Sequence, residues 1–285
     1  MKRFFCIIPF ALGLVSCEKE IPFNDPGAEP RIVIGSFISP QNSNMTVELS
    51  KSESILADDS FVFLNDASVE LYENNSLLGA MNPTEDGVYV FDQNPVAGNK
   101  YSVKVSHPTL PSVSAETTIP LNLVNASIAV ETINDIDQYN QRITLAFDDN
   151  PNEKNYYQLL LYFNYDMQFE EYLLGWSTNS EILRNSDSGS GDSEFFHLEN
   201  AIFSDDLFNG NRVSIPINSS NYIEGANVIL RLMHVSEDYY LYRSSVWLQL
   251  ETGDNPFAQP VPIHTNITDG YGIFASYNYQ NFIVE

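Results

Sequence analysis

The residue with the most definite chemistry is Cys17. It closes Leu14-Val15-Ser16-Cys17, a branched apolar residue, a tolerated residue, a small residue and then a thiol, at the end of an apolar stretch from Phe4 to Val15 that Lys2-Arg3 introduce. That spacing is a lipobox: the thiol is joined by a thioether to diacylglycerol, and cleavage of residues 1–16 makes Cys17 the new N-terminus. The apolar stretch is too short to span a bilayer, which takes roughly 20 residues. Acyl chains contribute about 0.8 kcal/mol per buried CH₂, so two or three of them hold essentially permanently.

Other candidates are weaker. The histidines His107, His197, His234 and His264 have no partner four residues away and no cysteine beside them, so zinc has no support. His107 precedes Pro108 in an expected solvated turn, and His234 is expected as a satisfied core histidine. The acidic pairs Asp58-Asp59, Asp148-Asp149 and Asp205-Asp206 stand beside expected strand ends. Converging sandwich loops could supply the roughly six to eight oxygens of a calcium ion, but no pair has the D-x-[DN]-x-[DN]-G spacing, and solvated loop acids are the better reading. Nucleophile elbow, Walker loop and dinucleotide fingerprint are all absent. The expectation is a non-enzyme with no catalytic residue, cofactor or metal. A triad assembled only in three dimensions stays open; His197 or His234 beside a Ser and an Asp in a cleft would be its sign.

A body must carry this anchor. The chain has 285 residues, room for one large domain or two modest ones, and its 43% apolar and 13% aromatic content excludes a disordered chain. Its 38 acidic against 13 basic side chains, a net charge of −25, make nucleic acid an unfavourable partner. Cleavage takes Lys2, Arg3 and Cys6 and leaves a net charge of −27, with Cys17 acylated and no disulfide available. Residues 17–30, rich in proline and acid from Glu18 to Pro30, read as a tether.

From Arg31 onward the apolar period is two. Met45, Val47 and Leu49, then Tyr101, Val103 and Val105, alternate with polar residues, and turn clusters such as Glu73-Asn74-Asn75-Ser76 separate further short strands. This predicts an immunoglobulin-like, prealbumin-like β-sandwich at 31–120, closing at Pro120. A larger β-sandwich-type unit is expected at 121–285: Ile143, Leu145 and Phe147 alternate, and so do the odd positions from Tyr157 to Phe169 against a mostly polar even side. Val228–Val235 is apolar on both sides and reads as a central strand. Asn185–Ser193 reads as a mobile polar loop. One amphipathic helix is expected near 237–252, capped by Ser236, with Tyr239, Tyr242, Val246, Trp247 and Leu250 as its apolar stripe and Gly253 at its end. The alternative is one continuous β architecture in which the first strands pair with the second half.

The lipobox, Ala67-Ser68-Val69, Ala115-Glu116-Thr117-Thr118-Ile119-Pro120, Asn255-Pro256-Phe257 and Asn266-Ile267 followed by Gly270-Tyr271-Gly272-Ile273-Phe274 together resemble the domain-of-unknown-function 4249 family of Bacteroidota outer-membrane lipoproteins. Residue by residue, the last of these reads as a glycine-hinged final hairpin with Ile273 and Phe274 packed inward. The family has no established activity, so the resemblance transfers no catalytic residue. Its members are typically encoded near TonB-dependent receptors, which implies such a receptor as a partner. Glu18-Lys19-Glu20 after Cys17 resembles the surface-export signal of Bacteroidota lipoproteins, which implies an outer-membrane location facing the cell exterior. The expected role is a non-catalytic accessory or binding protein of a TonB-dependent receptor system; the alternatives are a surface hydrolase with a dispersed active site and a structural or adhesive lipoprotein.

Overall fold

Among the described residues, the stretches in which apolar and polar residues alternate form strands; Met167 and Phe169 of the longest one lie outside them. The computed structural model describes residues 29–54, 61–136, 139–165, 171–184, 195–219, 226–253, 259 and 261–284. The leader, Cys17, Glu18 to Ala28 of the tether, Asp58-Asp59, the 185–193 loop and Asn255-Pro256-Phe257 lie outside the described residues.

The first half contributes β1 (Ile32–Ile38), β2 (Met45–Lys51), β3 (Val62–Phe63), β4 (Ser68–Glu73), β5 (Ser76–Ala80), β6 (Asn82–Pro83), β7 (Val88–Phe91), β8 (Lys100–Ser106) and β9 (Val113–Thr118). The second contributes β10 (Val124–Ile136), β11 (Tyr139–Asp148), β12 (Tyr156–Tyr165), β13 (Tyr172–Leu173), β14 (Trp176–Thr178), β15 (Phe196–Leu198), β16 (Asn200–Ser204), β17 (Arg212–Ser219) and β18 (Ala226–Val235). Helix α1 (Glu237–Gly253) and β19 (Tyr271–Val284) complete the order.

These strands build three sheets. The largest runs β13-β12-β18-β19-β1-β2-β7-β6, with β16 on β12 and β3 on β2; β10-β11-β17-β14-β15 and β5-β4-β8-β9 form the others. The four-stranded sheet packs on β1, β2 and β7 around Ile34, Val47, Leu49, Leu71 and Val103. The five-stranded sheet packs on β12 and β18 around Leu145, Ile215, Leu159, Leu161, Leu230 and Trp176. The protein is mainly β, two sandwiches that share one sheet. Strand β18 lies inside that sheet between β12 and β19, as its two apolar sides predict.

The final strand joins the halves. Its first part, Tyr271 to Ser276, pairs in parallel with Val33 to Ile38; its second, Tyr277 to Val284, pairs antiparallel with Val228 to Val235. A final hairpin was the expectation, but a single strand of 14 residues is long enough to serve one partner with each end, and no return strand is needed. The first and last strands of the described chain therefore meet, which is the continuous arrangement left open beside two units. Each half still keeps an apolar core of its own.

Burial along β19 follows its period of two. Phe274 enters the first core and Phe282 and Val284 flank the second, all even positions. Ile273, Ala275, Tyr277 and Tyr279 point the other way, into a third cluster under α1. Ser276 and Asn278 sit between the two cores, on the same face, and they are polar. Ser276 Oγ donates to Thr118 O at 2.8 Å, and Thr117 Oγ1 lies 2.9 Å from it. Asn278 Nδ2 donates to Pro120 O at 3.1 Å and Asn122 Oδ1 at 2.8 Å, while its Oδ1 accepts from Gln41 Nε2 at 2.7 Å. This seam fastens the chain that crosses between the halves. Asn278→Ala should lower stability by about 1–2 kcal/mol, because the buried Pro120 carbonyl loses its donor while the exposed Gln41 and Asn122 can turn to water; urea unfolding measures it, and an unchanged midpoint would show that the seam contributes nothing.

Helix α1 starts where expected. Ser236 Oγ accepts from Tyr239 N at 3.3 Å, and Glu237 and Asp238 occupy the positive first turn. Tyr239 is buried, and Phe37 packs against it edge-on at 5.4 Å. Leu250, expected in the apolar stripe, is 73% exposed. The ring contacts to the sheet come from Tyr239, Tyr240 and Tyr242, so the stripe is used only in the first turns and the last ones run past the sheet. The helix also changes β12. Its even side, expected as mostly polar, is not left to solvent: Gln158 is 2% exposed and Tyr162 is buried too. Gln158 stays satisfied, accepting from Tyr239 Oη at 2.6 Å and donating to Asn200 Oδ1 at 2.8 Å.

Candidate functional site

Where the two sandwiches meet, the crossing segment from Thr117 to Leu121 and the start of α1 leave a cleft of about 450 Å³. That is the size range of small-ligand sites, and such sites favour junctions. Strand β18 places His234 in its wall, the Asp149–Tyr156 turn places Glu153 and Lys154, and α1 places Glu237 and Asp238.

His234 is 8% exposed and stacks on Tyr157 with ring centroids 5.3 Å apart. Its Nδ1 lies 3.0 Å from the Leu121 carbonyl, which can only accept, so Nδ1 carries the proton and Nε2 is left as an acceptor. Burial holds its pKa below the ordinary histidine value, outweighing the Leu121 carbonyl and the charges of Glu153, Asp149 and Asp205. The sign follows. Below about pH 6.5 the unfolded chain takes up a proton that the folded chain refuses, so this group contributes a loss of stability as pH falls through that window. His234→Phe should remove that slope, worth at most about 1.4 kcal/mol one unit below the unfolded value. Melting wild type and variant at pH 7.5 and 5.5 isolates it from the carboxylates; parallel curves would refute a buried neutral His234.

The acidic pairs have internal partners. Asp149 accepts from Tyr157 Oη at 2.6 Å and Gly210 N at 2.7 Å, and burial, then Asp149 itself, raises the Tyr157 pKa far above its usual range. Asp148 pairs with Arg212 at 2.6 Å. Asp205, fully buried, accepts from Asn155 N at 2.8 Å, and Lys154 Nζ sits 2.8 Å from its other oxygen while also holding Asp206. Lys154 thus stands where a bound cation would. Among the described residues no group of three His, Cys, Asp or Glu is placed to hold a metal ion.

The remaining histidines are scattered. His107, expected as solvated, has a side chain only 8% exposed, and its Nε2 meets Asp66 Oδ1 at 2.9 Å. His197 is exposed on β15. His264 Nε2 meets Asp238 Oδ1 at 2.8 Å on the rim of the cleft, a pair the sequence reading missed because 26 residues separate the partners. The described bonds of His234 include no Ser hydroxyl and no carboxylate. Sequence reasoning also missed Glu153 and Lys154; the one available signal was an Asn-Glu-Lys-Asn turn in a chain poor in lysine.

A family model described as a domain of unknown function, DUF4249, matches residues 18–282. The chain belongs to the DUF4249 family. The DUF4249 match runs through the crossing segment, so both sandwiches and the cleft between them fall within it. No curated protein matches the sequence. Among solved structures, a beta-glucuronidase from glycoside hydrolase family 2 is similar at 14% identity over 86% of this chain and 22% of its own, with a TM-score of 0.25. A beta-glycosidase from Bacteroides vulgatus is similar at 12% identity over 73% of this chain and 23% of its own, with a TM-score of 0.22. The chain thus spans less than a quarter of these enzymes, and likeness at such scores carries no argument about the DUF4249 chain.

Proposed function

We propose that this protein is a lipid-anchored, non-catalytic binding protein that faces outward from the outer membrane and serves a TonB-dependent receptor, capturing a ligand or assembling the complex. The observation that carries the binding role is the half-open cleft between the sandwiches, of mixed polar and apolar lining, with the hydrogen-bonded crossing segment as one wall. Its one buried histidine is oriented by a backbone carbonyl rather than by a carboxylate. A general base of a triad needs a nucleophile on one side and an orienting acid on the other. Binding needs only fixed walls. The anchor rests on the lipobox, and the receptor rests on the company that the family keeps.

Mild detergent extraction followed by pull-down of a tagged copy tests the role. Recovery of a large outer-membrane barrel in near-equal amount supports it; a tagged protein recovered alone would count against the receptor as partner. Digestion of intact cells with added protease tests the outward facing.

A further inference from the structure

The cleft also indicates what it would hold. Resting on the binding role above, we propose that it takes a small primary amine, bound as the ammonium ion.

The donors and acceptors of the wall are unequal. His234 Nδ1–H is committed to Leu121 O, so the free face of this buried ring is Nε2, an acceptor with no partner among the described residues. The same wall carries Glu153, Glu237 and Asp238, three carboxylates, against Lys154 as its single basic residue. Lys154 offers little to an anion, since Asp205 and Asp206 already match its charge. Each of the three carboxylates has a neutral donor, an amide or hydroxyl, or the His264 ring: Asn150 for Glu153 at 2.7 Å, Tyr156 for Glu237 at 2.9 Å, and His264 and Asn266 for Asp238 at 2.8 and 3.1 Å. A carboxylate offers about four lone pairs, so acceptor capacity is left over. The side chains of the wall therefore favour a ligand that donates hydrogen bonds and carries a positive charge. An ammonium group presents three donors and one charge. Carboxylates and phosphates would meet the wrong sign on a chain of net charge −25.

The test is calorimetric titration of the full-length protein in non-ionic detergent at about 0.15 M salt, where counter-ion condensation on an acidic surface is screened. Putrescine is the probe; acetate, inorganic phosphate and glucose are the comparisons. The expected result is saturable one-to-one binding of putrescine, silence from acetate and phosphate, and affinity weakened about tenfold in His234→Phe, which keeps the ring and loses the acceptor. Glu153→Gln, at an exposed position, should weaken it about threefold and covers the case in which His234→Phe does not fold. Unsaturable heat, or binding unchanged in both variants, would mean that amines merely gather on the acidic surface and would overturn the proposal. Glucose binding that equals putrescine and shares the sensitivity to His234→Phe would overturn it in favour of a neutral polyol. If the receptor is recovered in pull-down while no amine binds, the ligand class is wrong and the accessory role stands.

Discussion

Replacing Cys17 by Ser should abolish incorporation of a palmitate analogue. The expected loss is complete. Oxygen in place of sulfur leaves no thiol for the thioether, and without lipid transfer the leader is not cut at this position. Among the described residues no helix is long and apolar enough to cross a membrane, and a net charge of −25 repels anionic headgroups. One acyl chain alone gives marginal, reversible binding, so firm membrane retention of the wild type would imply more than one chain on Cys17. Metabolic labelling followed by fractionation reads both results. Equal labelling of Cys17→Ser and wild type would sink the lipid anchor. Replacing Glu18 and Glu20 by Ala should leave labelling intact and reduce digestion of the protein by protease added to intact cells; unchanged digestion would separate the acidic run from export.

What could be seen in advance divides along the range of the interactions. The lipobox reading of Cys17 needs only four adjacent residues, and it lies outside the described part of the chain. Met45, Val47 and Leu49 were legible because a half-buried strand writes its face into its own period, and all three are buried in β2. Ser236 was legible because a cap acts within one turn. Partners distant in sequence were not. Nothing in the alternation of β12 says that α1 will lie over its even side, so the burial of Gln158 between Tyr239 and Asn200 could not be read from it. Period two does not name a strand's neighbour either, and β1 meets β19 across more than two hundred residues. The cleft was invisible for the same reason: the crossing segment, the turn with Glu153 and Lys154, and the start of α1 come together only through that pairing. His234 was readable as a core residue from its place on an apolar strand. That its Nε2 stays an acceptor depends on Leu121, 113 residues away.

The parallel join between β1 and β19 is what the whole arrangement depends on, and Gly272→Ala should undo it. Gly272 pairs with Ile34 and has φ of +96°, a region that residues with a side chain rarely adopt. A Cβ there would fall inside contact distance of the Ile34 carbonyl oxygen and within 2.9 Å of its carbon, and both are backbone atoms that cannot rotate away. The strand must therefore shift, and a shift by one residue would exchange the two faces of β19. Phe274 would leave the first core, Ser276 would lose Thr118, and Ile273 would leave the cluster under α1. The strain alone is worth about 1–3 kcal/mol, and lost packing brings the expected cost to at least about 3 kcal/mol. For a chain of this size that is a fall of roughly 6–12 °C in Tm. Gly253→Ala is the control: nothing lies within 4 Å of its added carbon at the end of α1, and its Tm should hold or rise slightly. Hydrogen exchange locates the damage. Faster exchange in 32–38 and 271–276, with 277–284 still protected on β18, would show the join opening from the first sandwich's side; a Gly272→Ala variant that melts with wild type would rule the parallel pairing out.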